Sequence, residues 1–314
     1  MEYFEVASIP PVDGAPIVLV IGKLDGVHRG HIELLQHAHQ YKDGNLAVMS
    51  FSEHPQWVLK GDPAYQQSLL PLEHKRTILE NLGVTRLYNI QFTQEYAQTS
   101  AEEFVYKHLS QLNIKRLVVG EDFRFGKAGK ADTDDLINLC EQIGIPVTVI
   151  PLVKVDGEAI SRTMIRSLIK NGEVEAAQQL LGRPYCVKGH VVHGEALGRT
   201  LGFPTINLGG EVDQYVLPKP GIYVGVAEIH DEVKLGEWNV LISAGYRPTV
   251  DGDSYLIEAY LLNFSGDLYG KKVTLSFLNF VRDELKFVDL DQLVEQMKLD
   301  EHHAREYFRM SGRQ

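Results

Sequence analysis

The chain has 314 residues, 44% apolar and 23% charged, with a formal net charge of −11 and only two cysteines. That length exceeds one typical core and suits two domains, and the acidic balance argues against a general nucleic-acid-binding surface. No apolar run approaches the ~20 residues that span a bilayer, and MEYFEVASIPPVDGAP at the start carries no secretion signal.

Cys140 and Cys186 lie far apart and form no C-x-x-C pair. A reducing cytoplasm is therefore expected, with neither a zinc site nor a disulfide framework. An anionic ligand would need a local grip working against the overall field.

In chain order, PIVLVIG (16–22) and GNLAVMSF (44–51) read as strands, and HIELLQHAHQY (31–41) between them as a helix with Ile32, Leu35 and His39 near one face. IKRLVVG (114–120) is a further strand, TDDLINLCEQIG (133–144) a helix ending at glycine, and IPVTVIPLV (145–153) another strand. Strand, helix and strand in that order imply a parallel sheet with helices packed on it. Ligands gather at the carboxyl ends of such strands, where GKLDGVHRGH (22–31) falls.

From about Pro184 the rhythm changes. CVKGHVVHG, GIYVGVAEIH, WNVLISAG, YLIEAYLLNF and KKVTLSFLNFV are strand-like segments separated by turn residues, as in an antiparallel barrel or sandwich. LDQLVEQMKLDEHHAREYF (290–308) is a closing helix, with Leu293, Met297 and Ala304 at helical intervals. The domain boundary is placed at LLGRPYCVKG, giving domains 1–183 and 184–314.

If a helix starts near Val27 or His28, its unsatisfied N–H groups and dipole attract an anion. Gly22 and Gly26 permit the turn, and Gly30 permits a close approach to the first helical turn. His28 and His31 share a helix face, so both imidazoles could reach one phosphate and stabilise charge on it. Two surface histidines, or half of a zinc site, are the competing readings of the pair alone.

Strand, glycine turn and H-x-G-H together resemble the signature of the nucleotidylyltransferase superfamily, which also includes class I aminoacyl-tRNA synthetases. ISRTMIR (160–166) is similar to its second signature, I-S-S-T-x-x-R. VVGEDFRFGKAG (118–129) resembles the G-x-D/N-F-x-F-G loop of one branch, prokaryotic riboflavin kinase/FAD synthetase. That family implies a Rossmann-like α/β adenylyltransferase domain followed by an antiparallel β-barrel riboflavin kinase domain with a C-terminal helix.

By position, the resemblance gives His28 and His31 to the ATP phosphates and the transition state. Gly22, Asp25, Gly26, Gly30, Ser161, Arg162, Thr163 and Arg166 fall in ATP and phosphate binding, and Asp122, Phe123 and Phe125 in the flavin or nucleotide pocket. Two departures stand out. Arg162 replaces the second serine of I-S-S-T, and GKLDG stands for G-N/Y-F-D-G, with Lys23 and Leu24 at the variable positions.

In the second half, GRTLGFPTIN (198–207) reads as a glycine- and proline-bent loop that wraps a ligand closely. Thr205 and Asn207, two apart, project to one side if extended and offer oxygens that suit Mg²⁺; a plain Thr–Asn turn is the alternative. The stretch resembles the riboflavin kinase motif G-R-x-L-G-F-P-T-A-N, with Ile206 for alanine. PKPGIYVG (218–225), AGYRPTV (244–250), YLIEAYLLNFSGDLYGKKVTLSF (255–277) and VRDELKF (281–287) continue the match.

The resemblance assigns the kinase base to Glu258, nucleotide cover to Gly202, Phe203 and Pro204, metal binding to Thr205 and Asn207, and a flavin flap to Arg282 and Phe287. Ser243 stands where the family has asparagine. The expected substrates and products are ATP with Mg²⁺, riboflavin, FMN and FAD, acted on by a monomer or weak homo-oligomer. A kinase with a disabled adenylyltransferase domain, and a flavin-binding regulator, are the alternatives.

Overall fold

Residues 17–21 are buried without interruption, yet they serve two cores. Ile17, Leu19 and Ile21 enter one apolar cluster and Val18 and Val20 the other, the mark of a strand covered on both faces. The computed structural model describes residues 1–53, 55–194, 197–230, 236–249 and 252–313.

The chain forms two compact units, Met1–Arg162 and Thr163–Gln314. In the first, β1 (Glu2–Val6), β2 (Asp13–Ile21), β3 (Asn45–Phe51), β4 (Arg86–Ile90), β5 (Leu112–Gly120) and β6 (Val147–Ile150) build one sheet. Its order is β1-β4-β3-β2-β5-β6, every pair parallel. The helices here are α1 (Arg29–Gln40), α2 (Pro55–Lys60), α3 (Leu72–Asn81), α4 (Ala101–Glu103) and α5 (Thr133–Glu141). A small hairpin, β7 (Lys154–Val155) and β8 (Glu158–Ala159), follows the sheet. β2 has β3 on one side and β5, much later in the chain, on the other, so the loops after β2 and β5 flank the topological switch point.

The second unit continues through α6 (Arg162–Asn171) and α7 (Val174–Leu181) to β9 (Tyr185–Val192), α8 (Leu197–Thr200), β10 (Thr205–Gly209), β11 (Gly221–His230), β12 (Gly236–Thr249), β13 (Gly252–Leu261), β14 (Lys272–Arg282) and α9 (Leu290–Met310). The strands close into an antiparallel barrel in the order β10-β13-β12-β11-β14-β9. Asp289 caps α9, accepting a hydrogen bond from Gln292 N at 2.9 Å. Ala304 and Phe308 of α9 pack on the outer face of the barrel with Val224, Val226, Leu241, Leu262 and Leu278. The barrel thus has a filled interior and one covered outer stripe.

Two local expectations need correction. Residues 205–209 are a strand and not part of a wrapping loop, because β10 must pair with both β9 and β13 to close the barrel. In α1 the buried residues are Leu34, Leu35 and Ala38, while His39 is exposed. The antiparallel half is the closed barrel that was expected. Among the described residues no helix is long and apolar enough to cross a membrane.

Candidate active sites

The loop from β2 to α1 is held in a costly shape. Leu24 has φ +48° and Val27 φ +41°, although both are fully buried. A β-branched residue in the left-handed region costs on the order of 1–3 kcal/mol and persists only where its surroundings fix it. Here they do. Gly22 N donates to Met49 O at 3.1 Å and Val27 N to Leu24 O at 3.3 Å. Ser50 Oγ donates to Lys23 O at 2.9 Å. Asp25 Oδ1 accepts from Ser68 Oγ and from Leu69 N, each at 2.9 Å. Buried Lys75 on α3 completes the brace, its Nζ 3.4 Å from Ser50 Oγ.

His28 is the N-cap residue of α1, extended at φ −76° and ψ 174°, and its side chain is not used as the cap. The ring turns instead onto His31, with centroids 3.7 Å apart and planes 22° from parallel. A Cβ on Gly30 would stand 3.2 Å from His28 Cε1 and Nδ1. Glycine at 30 therefore clears space for the His28 ring itself.

Across the switch point, a Cβ on Gly120 would lie 3.0 Å from Asp122 Oδ1. Phe123 and Phe125 stack at 5.7 Å and 14°, and Phe104 tilts against Phe125 at 5.6 Å. Phe125 is pinned by paired backbone bonds with Ala131 at 3.1 and 3.2 Å. Arg162 opens α6, its guanidinium 5.7 Å from the centre of the Tyr65 ring. Lys23 stands on the loop that follows β2. Its pKa is pushed down to about 8, by loss of water and then by Arg162, with Asp122 and Asp25 opposing.

In the first unit His28 stacks on His31, while the charges of Arg162, Asp122 and Asp25 act on Lys23, and Ser161 is exposed. Thr163, exposed, and Arg166, buried, lie on the part of α6 that belongs to the second unit. Stacked imidazoles, a helix start and nearby cations are the kinds of group that bind anions.

On the barrel, Glu258 of β13 stands directly opposite Asn207 of β10 on one side and Ser243 of β12 on the other. Ser243 faces Ile222, and Ile222 faces Arg282, so one row crosses five strands. The sequence neighbours of Glu258, Ile257 and Ala259, are fully buried. Glu258 itself points outward and is half-buried.

Thr205 lies opposite Tyr260, whose ring meets buried Phe203 edge-on at 5.3 Å. Phe203 N donates to Gly198 O at 2.8 Å, and Gly202 takes φ +87° in the turn between them. Beside them opens a cavity of about 350 Å³ lined by Arg199, Pro204, Thr205, Phe264, Asp267 and Tyr269 among others. Arg282 is engaged by α9, its Nε and Nη2 donating to the two carboxylate oxygens of Asp300 at 2.9 and 2.6 Å. Phe287 is half-buried in a segment whose Leu285 and Val288 are exposed. Val250, the last residue of AGYRPTV, lies outside the described residues.

Comparison with known proteins agrees with this division. A family model described as FAD synthetase matches residues 12–164, and one described as riboflavin kinase matches residues 181–308. The bifunctional riboflavin kinase/FMN adenylyltransferase of Listeria monocytogenes is 36% identical over 93% of this chain and 92% of its own length. The chain belongs to the bifunctional riboflavin kinase/FMN adenylyltransferase family.

The relative of that name from Bacillus subtilis is also 36% identical, over 94% of this chain and 93% of its own. A Streptococcus pneumoniae crystal structure described as a macrolide-efflux protein superposes with a TM-score of 0.88 at 33% identity, covering 97% of this chain and 99% of its own.

Sequence reasoning missed three parts of the candidate sites. Phe264, Asp267 and Tyr269 line the barrel cavity with Arg199; the Ser-Gly-Asp turn inside LLNFSGDLYG was their only local signal. The Lys75–Ser50 brace had none, since a lysine in a polar-faced helix reads as solvated. Left-handed Leu24 and Val27 could not be read from residues that avoid that region.

Among the described residues no group of three His, Cys, Asp or Glu side chains could hold a metal ion. Thr205 and Asn207 offer neutral oxygens on one side of β10, and a Cβ on Gly194 would overlap the Asn207 amide, so the glycine leaves that side chain its place. Few protein oxygens, with room for water and phosphate, suit Mg²⁺.

Proposed function

We propose that the chain phosphorylates riboflavin with ATP to give FMN, and then adenylylates FMN with a second ATP to give FAD and pyrophosphate. In this reading residues 1–183 carry the adenylyltransferase and 184–314 the kinase. The substrates are small molecules and not nucleic acid, and the enzyme works in the cytoplasm as a monomer or weak homo-oligomer.

In adenylyl transfer, a phosphate oxygen of FMN attacks the α-phosphorus of ATP and the bond to the leaving pyrophosphate breaks. That nucleophile is already ionised at neutral pH, so no general base is required. His28 and His31 stabilise the charge that builds on the phosphoryl oxygens. Gly22, Gly26 and Gly30 shape the loop that holds them, and Asp25 fixes it through Ser68 and Leu69. Ser161, Arg162, Thr163 and Arg166 serve the triphosphate, while Asp122, Phe123 and Phe125 border the flavin.

The kinase nucleophile is an alcohol and needs help. Glu258 takes the proton of the riboflavin 5′-hydroxyl as its oxygen attacks the γ-phosphorus and ADP leaves. Thr205 and Asn207 would hold Mg²⁺, which when bound neutralises phosphate charge. Gly202, Phe203 and Pro204 cover the nucleotide, and Arg282 and Phe287 lie on the flavin side. The observation that carries this reading is the Asn207–Glu258–Ser243 row beside the Thr205 cavity, with the stacked His28–His31 pair at the other unit's switch point.

The test is a chromatographic time course with riboflavin, ATP and Mg²⁺, repeated from FMN. FMN first and FAD after it is the expected result. Arg162, which places a second cation beside Lys23, favours one other reading, a kinase whose adenylyltransferase half is disabled. FMN accumulating without FAD in both assays would establish that instead.

A further inference from the structure

β14 is irregular at the end that carries Arg282. Its register against β11 slips between Val224 and Gly225 and again between Ile222 and Tyr223, so Leu278 and Val281 are each an extra residue. Without the second slip Val281 would face Ile222. The bulge puts Arg282 there instead, on the row that runs through Ser243 to Glu258.

A bulge interrupts the ladder and leaves backbone groups to be satisfied elsewhere. This one is also short of a strand neighbour, because β9 pairs with β14 only as far as Tyr185 and Phe277. α7 supplies the missing acceptor. Glu175, in its first turn, accepts from Phe280 N at 3.2 Å, and the same oxygen, Oε1, accepts from the Asn279 side-chain amide.

The chain around this contact is fixed closely. A Cβ on Gly172, at φ +85° just before α7, would stand 3.3 Å from both Phe280 and Lys219. Lys219 N donates to Ile169 O of α6 at 3.1 Å. The Lys219 ammonium lies 4.9 Å from the centre of the Phe280 ring and pairs with Asp283 at 2.5 Å. Asp300 of α9 meanwhile holds the Arg282 guanidinium. Backbone and side chain of the bulged end are therefore held by different helices.

The two family-model matches stop at residue 164 and resume at 181, so Glu175 falls in neither. Yet α7 and β14 belong to one compact unit. We propose that Glu175 is a positioning residue for riboflavin phosphorylation, clamping the bulge of β14 so that Arg282 is aimed at the flavin. This rests on the kinase reading above, and it extends the working kinase to residues before 184. The role needs reach and an acceptor oxygen, and not charge, since both donors are neutral. Glutamine meets that need; aspartate, one methylene shorter, does not.

The test uses the full chain as wild type, Glu175→Gln, Glu175→Asp, Glu175→Ala, Arg282→Ala and the double variant Glu175→Asp/Arg282→Ala. FMN formation is followed at varied riboflavin and ATP, and riboflavin binding by quenching of its fluorescence. Glu175→Asp and Glu175→Ala should raise the KM for riboflavin about tenfold, with kcat, the KM for ATP and the thermal melt little changed. Glu175→Gln should behave as wild type. In the Arg282→Ala background Glu175→Asp should add nothing further, because both changes act on one contact.

An unchanged KM for riboflavin in Glu175→Asp and Glu175→Ala overturns the proposal. So does the opposite order, with Glu175→Gln impaired and Glu175→Asp intact, which would mark a role of charge alone. An effect of Glu175→Asp that multiplies in full with that of Arg282→Ala overturns the route through Arg282. Wild type that binds riboflavin but makes no FMN overturns the kinase reading, and weaker riboflavin binding by Glu175→Asp would still uphold the clamp.

Discussion

The imidazole of His28 lies face to face with that of His31, 3.7 Å from centroid to centroid. The contact turns two residues of one helical turn into a single rigid surface, and Gly30 between them makes it sterically feasible. Replacing either histidine by alanine removes an imidazole proposed to contact phosphate and also the face against which the other ring is held. His28→Ala or His31→Ala should lower FAD formation from FMN by at least ~100-fold. FMN formation from riboflavin, followed in the same chromatogram, should persist.

Gly30→Ala separates stability from chemistry. Alanine at a helical position is favoured over glycine by up to ~1 kcal/mol, so the melting temperature should hold or rise. The new Cβ nevertheless meets the His28 ring at 3.2 Å, and a displacement of a few tenths of an ångström there should cost about tenfold in FAD formation. A parallel fall in melting temperature and rate would contradict this.

Glu258 points out of the barrel between Asn207 and Ser243, so its removal opens no cavity. Glu258→Gln should leave the thermal melt close to wild type while lowering riboflavin phosphorylation by ~100-fold or more. Adenylylation of supplied FMN should continue. Normal kinase turnover in this variant would show that another group takes the proton.

Asp13 supplies a pH signature of the first unit's stability. Burial would raise its pKa, but hydrogen bonds from the Tyr88 hydroxyl (2.6 Å) and Ala15 N (2.9 Å) and the charge of Arg86 outweigh burial and lower it. A carboxylate whose native pKa lies below its unfolded value stabilises the fold above the unfolded value, near 4. That contribution is lost as pH falls through the native pKa. Asp13→Asn should therefore cost about 1–3 kcal/mol at pH 7 in denaturant titration. The difference from wild type should shrink below about pH 4.

Much of this was legible because the strands that matter are continuous apolar runs or clean alternations. PIVLVIG announces a strand buried on both faces, and Ile17 to Val20 serve two cores as such a run must. The histidine pair and Glu258 were legible as motif positions, but their settings were not. Glu258 looked surrounded by apolar residues, whereas Ile257 and Ala259 face inward and Asn207 and Ser243 are its neighbours across the strands. Such pairing is a property of register, which one strand's sequence does not state. Residues 205–209 misled for a related reason: their glycines and proline precede the strand, and only closure of the barrel makes it one.

Closure has a further consequence for how such a chain can change its length. Every strand of the barrel is bonded on both sides, so β13 cannot slide past β12 without also sliding past β10. Removing one residue from its middle would send Glu258 inward and Ile257 or Ala259 outward, spoiling chemistry and core in a single step. Insertions and deletions in this half are thus confined to the connections between strands, and the spacing from Asn207 to Glu258 within the sheet is invariant under any of them.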